Sequence, residues 1–533
     1  MTRRLAALNR SLFRAAERRV LGWSKPILWI MTTCEQGGYR QGAGIKRRNR
    51  GWQIQWIVST RQLRWSRERT MCYRLALSLA AAFLAVCPAA PAFAAGGGQL
   101  KLSIVEKGTG KSLAARMHLK NAAGRSPKVP KVPTWGDHFV FDGEITLKLP
   151  KGIYRFELEC GPEYLDQQGH FEIHDFADDE KTIEMKRFVN MAEEKWYSGD
   201  LDVERPVKEL DLLLRADDLH VAHVFAPSKR GAAKREAIPP GITALGDNRC
   251  FRSGGGEPVW HDVRQATAWD LPLRIAHCEV DSLEVASARL HRNGVSTDEK
   301  NSKPRDTTLF PGPDGVARWI EKIYFHLLNC GLRIPPSAGS GSGDSPNPVG
   351  YNRVYVHLDE KFSYDAWLEG LRTGRSVITN GPMVRPTVEG EYPGYVFPSE
   401  SGQEVELEVA MNLATREKID YFEMVQNGSV VHSVRLDDFK KAGGRLPKVH
   451  FKESGWLVLR VVTNNQNTHR FAMTAPYYVE FDSKRRVSRD SAQFFLDWTN
   501  ERIEALGANN PEPDRWQKTR EFWEDLVAKA NAE

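Results

Sequence analysis

One segment divides this chain before any fold is considered. Met71-Cys-Tyr-Arg opens a stretch with a single positive charge, and the apolar run Leu75–Val86 follows. Pro88, Pro91 and Ala92-Phe93-Ala94 come next, and then Ala95-Gly96-Gly97. A charged start, a short apolar run and a small-residue A-x-A site are the parts of a secretory leader. The run is short for a membrane span, which needs about 20 apolar residues. The reading is a signal peptide over 71–94, with the mature chain starting near Ala95 and exported to the periplasm or the extracellular space. No membrane span is expected in the mature chain. Residues 1–70 are then a mis-assigned extension; the alternative is a basic cytoplasmic tail before a signal anchor.

The charge balance follows the same division. The 533-residue chain carries a formal net charge of +7. Residues 1–70 hold 16 Lys/Arg and 3 Asp/Glu, and residues 71–94 add only Arg74. The remainder carries 58 Lys/Arg against 65 Asp/Glu, a net of −7. The folded part is therefore mildly acidic, which argues against a nucleic-acid partner. Four cysteines follow residue 94: Cys160, Cys250, Cys278 and Cys330. Their spacing fits no zinc pattern, and most read as small buried hydrophobes.

Periodicity along the mature part changes twice. Residues 98–188 alternate with period two, as in Leu100–Val105, Ala115-Met117-Leu119, Ile145-Leu147-Leu149 and Tyr154-Phe156-Leu158. Turn residues separate these runs, so a small β-sandwich is expected. In residues 189–390 short apolar strands alternate with helical stretches, including Val207–Leu214, Val316–Leu328 and Ser363–Arg372; this pattern predicts an α/β layer or barrel. Residues 391–485 return to strands, with Asn427-Gly428 as a two-residue hairpin turn. Residues 486–533 read as C-terminal helices whose aromatic residues form a docking face.

Several segments bear on chemistry. Trp196-Tyr-Ser-Gly-Asp-Leu-Asp-Val-Glu-Arg205 places Asp200, Asp202 and Glu204 two residues apart, so on a strand all three carboxylates share one face. Like charges this close repel unless a cation lies between them, and oxygen-only ligands suit Ca²⁺, Mg²⁺ or Mn²⁺. A solvated strand end beside Arg205 and Lys208 is the plainer alternative. His220 and His223 fall on opposite sides of a strand, and a lone His there is more often hydrogen-bonded structure than ligand. His261, His277 and His326 read the same way. Ser253-Gly-Gly-Gly256 lacks the Lys-Ser/Thr of a phosphate loop. Gly339-Ser-Gly-Ser-Gly343 is no nucleophile elbow, since its central residue is glycine.

Further segments extend the pattern: Leu212–Ala222, Trp269–Leu273, Val280-Asp-Ser-Leu-Glu284, Asn329–Pro335, Asn347–Val356 and Gly374–Pro382. In order over residues 194–385, they resemble the PHP (polymerase and histidinol phosphatase) superfamily, in its CehA/McbA-like secreted metallohydrolase branch. The resemblance implies a distorted (β/α) barrel with two or three metals that hydrolyses phosphate esters, carbamates or related bonds. The family's first-strand Gly-Asp-x-His-x-His stands here with Asp202 and Glu204 at the histidine positions. Its Gly-Ser-Asp-x-His reads Gly339-Ser340-Gly341-Ser342-Gly343, so both ligands are glycine. The Thr-Asp-His segment is replaced by Val224-Phe225-Ala226-Pro227, and Arg289 and His291 follow Val-Asp-Ser. The run Leu149–Glu159 resembles the carboxypeptidase-regulatory-like sandwich, which implies a structural or adhesive module.

The fold class expected is thus α/β plus all-β: a central PHP-like domain (189–390) between a sandwich (98–188) and a sandwich-like domain (391–485), with helices at the end. Loss of imidazole ligands weakens zinc or iron binding and removes a metal-bound nucleophile. The primary expectation is a non-catalytic protein binding a small-molecule or polymer ligand. The alternatives are a divergent metal-dependent hydrolase of ester, amide or phosphoester bonds and a structural cell-surface protein. In the hydrolase, Asp200, Asp202 and Glu204 hold a divalent metal (Mn, Mg, Ca or Zn), with His220 and Asp281 as catalytic candidates.

Overall fold

Alternating apolar residues build the first layer pair. The structure, a computed structural model, describes residues 96–226, 240–254 and 260–533, with the backbone of a two-residue strand at Ile30–Met31. The expected leader at 71–94, and the basic segment apart from those two residues, lie outside the described residues. Strands Gln167–Ile173, Gly152–Glu159, Ala114–Asn121 and His138–Asp142 form one sheet. Strands Glu144–Pro150, Gly97–Glu106 and Asp178–Met185 form the other. Leu100, Leu102 and Ile104 from one sheet meet Met117, Phe156, Leu158 and Phe171 from the other, all buried. Burying each such side chain contributes about 1.5–3 kcal/mol. This two-sheet packing matches the expectation for 98–188.

The middle of the chain supplies parallel strands. Trp196–Val203 pairs in parallel with Val221–Val224, which pairs in parallel with Arg249–Ser253. Asp262–Val263, Ser282–Ala286 and Pro336–Ala338 form a second parallel group. A parallel bridge from Val203 to Ser342 joins the two groups. No closed barrel forms among the described residues. The coarse class is α/β together with β-sheet layers.

Helix Asp314–Asn329 follows the expected spacing and buries Val316, Ile320, Ile323, Tyr324, Leu327 and Leu328. Helix Tyr364–Arg372 begins at Ser363, whose Oγ accepts the Ala366 N–H at 3.1 Å, a side-chain cap. The C-terminal helices Arg489–Leu506 and Pro513–Ala528 dock through Phe495, Trp498 and Trp523, and the Phe495 and Trp523 rings stack at 4.7 Å.

The later strands do not stand apart from the centre. Arg353–His357 pairs with Trp196–Val203, then Ser376–Thr379, Phe471–Thr474, Gly455–Thr463, Ile419–Gln426 and Ser429–Arg435 follow in one sheet. Met383–Val388, Val405–Ala414 and Arg445–Phe451 cover it as a second layer around Phe422, Leu459 and Val461. A sandwich is therefore present, with one layer continuous with the central sheet and one strand drawn from before residue 390. A buried ion pair ties the first sandwich to the centre: Arg116, which also donates to Glu159 within its own sheet, donates to Asp217. All four described cysteines are free thiols; Cys160, Cys250 and Cys330 are buried and Cys278 is exposed. No helix of the described residues is long and apolar enough to cross a membrane.

Candidate functional site

Parallel strands gather their carboxyl ends at one place, where open α/β sheets hold ligands. Here that place is a cleft of about 740 Å³. Asp202 and Glu204 come from the end of the Trp196–Val203 strand, and His223 and Phe225 from the next. Arg264 follows the Asp262–Val263 strand, Arg289 follows Ser282–Ala286, and Gly341 lies on the loop after Pro336–Ala338.

The glycine loop lies flat against the acidic strand end. Gly341 N–H donates to the Asp202 carbonyl at 2.8 Å, and Glu204 N–H donates to the Ser342 carbonyl at 2.7 Å. Gly343 has φ +111°, and a Cβ there falls 2.1 Å from the Glu204 carbonyl oxygen. A Cβ on Gly341, at φ +61°, falls 2.6 Å from the Ala288 Cβ. The loop is held by Asn352, whose Nδ2 donates to the carbonyls of Ser287 (2.9 Å), Gly339 (3.1 Å) and Leu290 (3.2 Å). The glycines at the family's ligand positions are thus required by close packing, and no side chain fits at Gly343 without backbone movement.

The three strand carboxylates do different things. Asp200 is fully buried and accepts N–H groups from Gly350 (2.7 Å), Ser340 (2.9 Å) and Asp202 (3.1 Å). Burial pushes its carboxyl up to about 7 against these donors. Asp200 is therefore an anchor for the loop and does not line the cleft. Asp202 and Glu204 reach a guanidinium instead: Arg264 Nη1 lies 2.9 Å from Asp202 Oδ1 and 3.5 Å from Glu204 Oε1. Burial raises the Asp202 carboxyl, and Arg264 opposes that rise.

Two further carboxyls complete the cluster, Asp262 and Glu284. Asp262 Oδ1 accepts from Ser282 Oγ and from Ser337 Oγ at 2.5 Å; burial pushes it up to about 6. Glu284 is fully buried, with its carboxyl within hydrogen-bonding reach of that of Asp262. Burial, then the charges of Asp262 and Asp202, hold it well above the usual carboxylate range. Like charges gathered under the acidic floor thus favour the neutral form of this carboxyl.

The expected catalytic candidates are placed elsewhere. His220 precedes its strand, at the end opposite the cleft, with Nδ1 3.1 Å from Ser198 Oγ and its ring edge-on to Tyr197. Burial lowers it to about 4. Asp281 also precedes its strand, and its Oδ2 accepts the His261 N–H at 2.7 Å. Neither lines the cleft; His223 does, with Nε2 2.9 Å from Tyr364 Oη. His277 and His326 are hydrogen-bonded structure, to the Arg515 carbonyl at 3.2 Å and Ser491 Oγ at 3.0 Å. Arg264, Asp262 and Glu284 were missed by motif reading. For Glu284 the signal was present: Leu283 and Val285 take the core face, so period two gives Ser282 and Glu284 the other.

The metal cluster implied by the family resemblance does not fit these residues. A positive side chain already stands between Asp202 and Glu204, Asp200 is occupied by amides, and the positions expected to supply an Asp and a His are glycines with no room.

No protein-family model and no curated protein matches the chain. Among solved structures, the Bacillus anthracis TIE protein is similar over 21% of this chain at 20% identity and TM-score 0.15. The chain spans about a fifth of that protein's length (20%). A Parabacteroides merdae β-glucuronidase aligns over 70% of this chain and 60% of its own, at 10% identity and TM-score 0.15.

Proposed function

We propose that this is an exported PHP-like protein that binds a small polar anion or the end of an acidic polymer without turning it over. The observation that carries this reading is Arg264, which supplies beside Asp202 and Glu204 the positive charge that a metal supplies in a hydrolase. A fixed guanidinium neutralises carboxylates but generates no bound hydroxide. The cleft itself favours binding over a purely structural role, since large concave sites are where ligands are held.

The ligand's charge is read from the cations of the lining. Arg274, Arg289 and Lys300 line the cleft together with Asp298 and Asp344, and Arg289 Nη1 is buried with no hydrogen-bond partner. Burial lowers the Arg289 guanidinium from its ordinary value, and the charges of Glu299 and Asp298 offset that fall only in part. A carboxylate or phosphate satisfies it bidentately, while Asp202 and Glu204 accept hydroxyl or amine protons from the same ligand. Trp260 and Phe225 add aromatic surface to the lining.

The test is a thermal-shift screen of the chain against acidic mono- and oligosaccharides, dicarboxylates and phosphate esters, followed by calorimetry and product analysis with and without added Mn²⁺ or Zn²⁺. Saturable binding that Arg289→Ala weakens at least tenfold, with no product formed, is expected. Metal-dependent turnover lost in Asp202→Ala contradicts the reading and revives the hydrolase.

A further inference from the structure

The second place where ligand-type side chains converge lies in the first sandwich, away from the cleft. Ala114–Asn121 and His138–Asp142 pair antiparallel with His118 directly opposite His138. Directly opposed residues put their Cβ atoms about 5 Å apart on one face. The turn at Gly136, φ +55°, delivers Asp137 beside them. His118 Nδ1 lies 2.9 Å from Asp137 Oδ1, and His138 Nδ1 lies 3.7 Å from the same oxygen. All three ligand atoms lie within 4.8 Å of one another.

These separations bracket what a small ion requires. Ligands about 2.0–2.1 Å from a four-coordinate zinc stand roughly 3.3 Å from each other. Both imidazoles are more than nine-tenths buried, at 6% and 4% exposure. His138 Nδ1, which faces the Asp137 carboxylate from beyond hydrogen-bond reach, has no partner, and neither does His118 Nε2. A buried polar nitrogen left unpaired costs about 1–3 kcal/mol, so His138 Nδ1, the unpaired nitrogen that faces the carboxylate, points to an absent ligand. Glu159 Oε2 lies 3.9 Å from His118 Nε2 and is itself held by Arg116. That is the place of the outer carboxylate that orients a metal-bound histidine. The Asp137 side chain is 38% exposed, which leaves a route and an open position for water.

We propose that His118 Nδ1, His138 Nδ1 and an Asp137 oxygen bind one divalent transition-metal ion, zinc by ligand chemistry. The ion pins the Trp135–His138 turn. Trp135 Nε1 donates to the Ser345 carbonyl at 2.8 Å, next to the glycine loop of the cleft. The site therefore braces the sandwich against the ligand-binding face. It does not rest on the proposed function.

The test is elemental analysis of the full chain purified without chelator, then stripped and titrated with Zn²⁺ and with Co²⁺ as a spectroscopic probe. About one zinc per chain is expected, with a Co²⁺ ligand-field spectrum. Affinity falls at least tenfold in Asp137→Ala, a half-exposed position whose variant is checked for folding by circular dichroism. It is abolished in His118→Ala/His138→Ala and unchanged in Asp202→Ala/Glu204→Ala. No zinc on folded parent chain, or equal affinity in Asp137→Ala, overturns the proposal alone. Zinc lost only in Asp202→Ala/Glu204→Ala overturns it together with the non-catalytic reading.

Discussion

Replacing Arg264 with methionine removes the charge that holds the acidic floor together while keeping much of the side chain's bulk. The guanidinium contacts Asp202 at 2.9 Å and Glu204 at 3.5 Å, both on side chains 9% exposed. Breaking a fully buried pair costs about 3–5 kcal/mol, whereas exposed pairs are worth under about 1 kcal/mol. Arg264 itself is 44% exposed, so solvent screens part of the interaction. The expected loss is about 1–3 kcal/mol at pH 8, read from the midpoint of urea unfolding. The loss depends on pH. Burial already raises the folded-state value for Asp202, and without Arg264 it rises further. A carboxyl whose folded value exceeds its unfolded one favours the folded state in acid, and loses that advantage as pH rises from about 4 through the folded value. The deficit of Arg264→Met is therefore larger at pH 8 than at pH 5. The vacated space also becomes attractive to a hard cation: Mn²⁺ or Ca²⁺ at a hundredfold over its Kd returns about 2.7 kcal/mol. Parent chain gains nothing at this cluster from the same ions. Equal stability of the two chains at both pH values, or no gain from metal in the variant, refutes the view that Arg264 stands in for a cation.

Three other outcomes follow from the same geometry. Asn352→Ala strips the donor from three carbonyls and costs about 2–4 kcal/mol, with faster amide hydrogen exchange at residues 287–290 and 339–343. Gly343→Ala forces a Cβ against the Glu204 carbonyl at positive φ and costs about 2 kcal/mol or more, measured by calorimetric melting. Burial lowers His223 to about 3, so the unfolded chain takes up a proton near pH 6.5 that the folded chain refuses. Stability is then lost as pH falls below that point, and His223→Gln removes about 2 kcal/mol of the loss between pH 6.5 and 4.5 in urea titrations.

Much of the local structure was legible because it is set by near neighbours. Ser363 announces its helix by capping it, and Asn427-Gly428, at φ 51° and 87°, is the hairpin turn its residues demand. The alternating runs of the first sandwich bury the predicted faces. What escaped depends on distant pairing. Ser376–Thr379 pairs with Phe471–Thr474 almost a hundred residues on, which fuses the later sandwich to the central sheet, and no local pattern encodes that register. The shared face of Asp200, Asp202 and Glu204 was readable from period two. Their different roles were not, since Arg264 arrives from a two-residue strand some sixty positions away. His220 and Asp281 are chemistry-bearing residue types, but both precede their strands, and the cleft lies at the other end.

The most direct test is anomalous diffraction from crystals grown with Mn²⁺ and Zn²⁺, comparing the cleft with the sandwich. The account predicts no anomalous peak among Asp202, Glu204, Asp262 and Glu284, with the Arg264 guanidinium beside Asp202 and Glu204. A metal peak within that cluster, with Arg264 displaced, contradicts it.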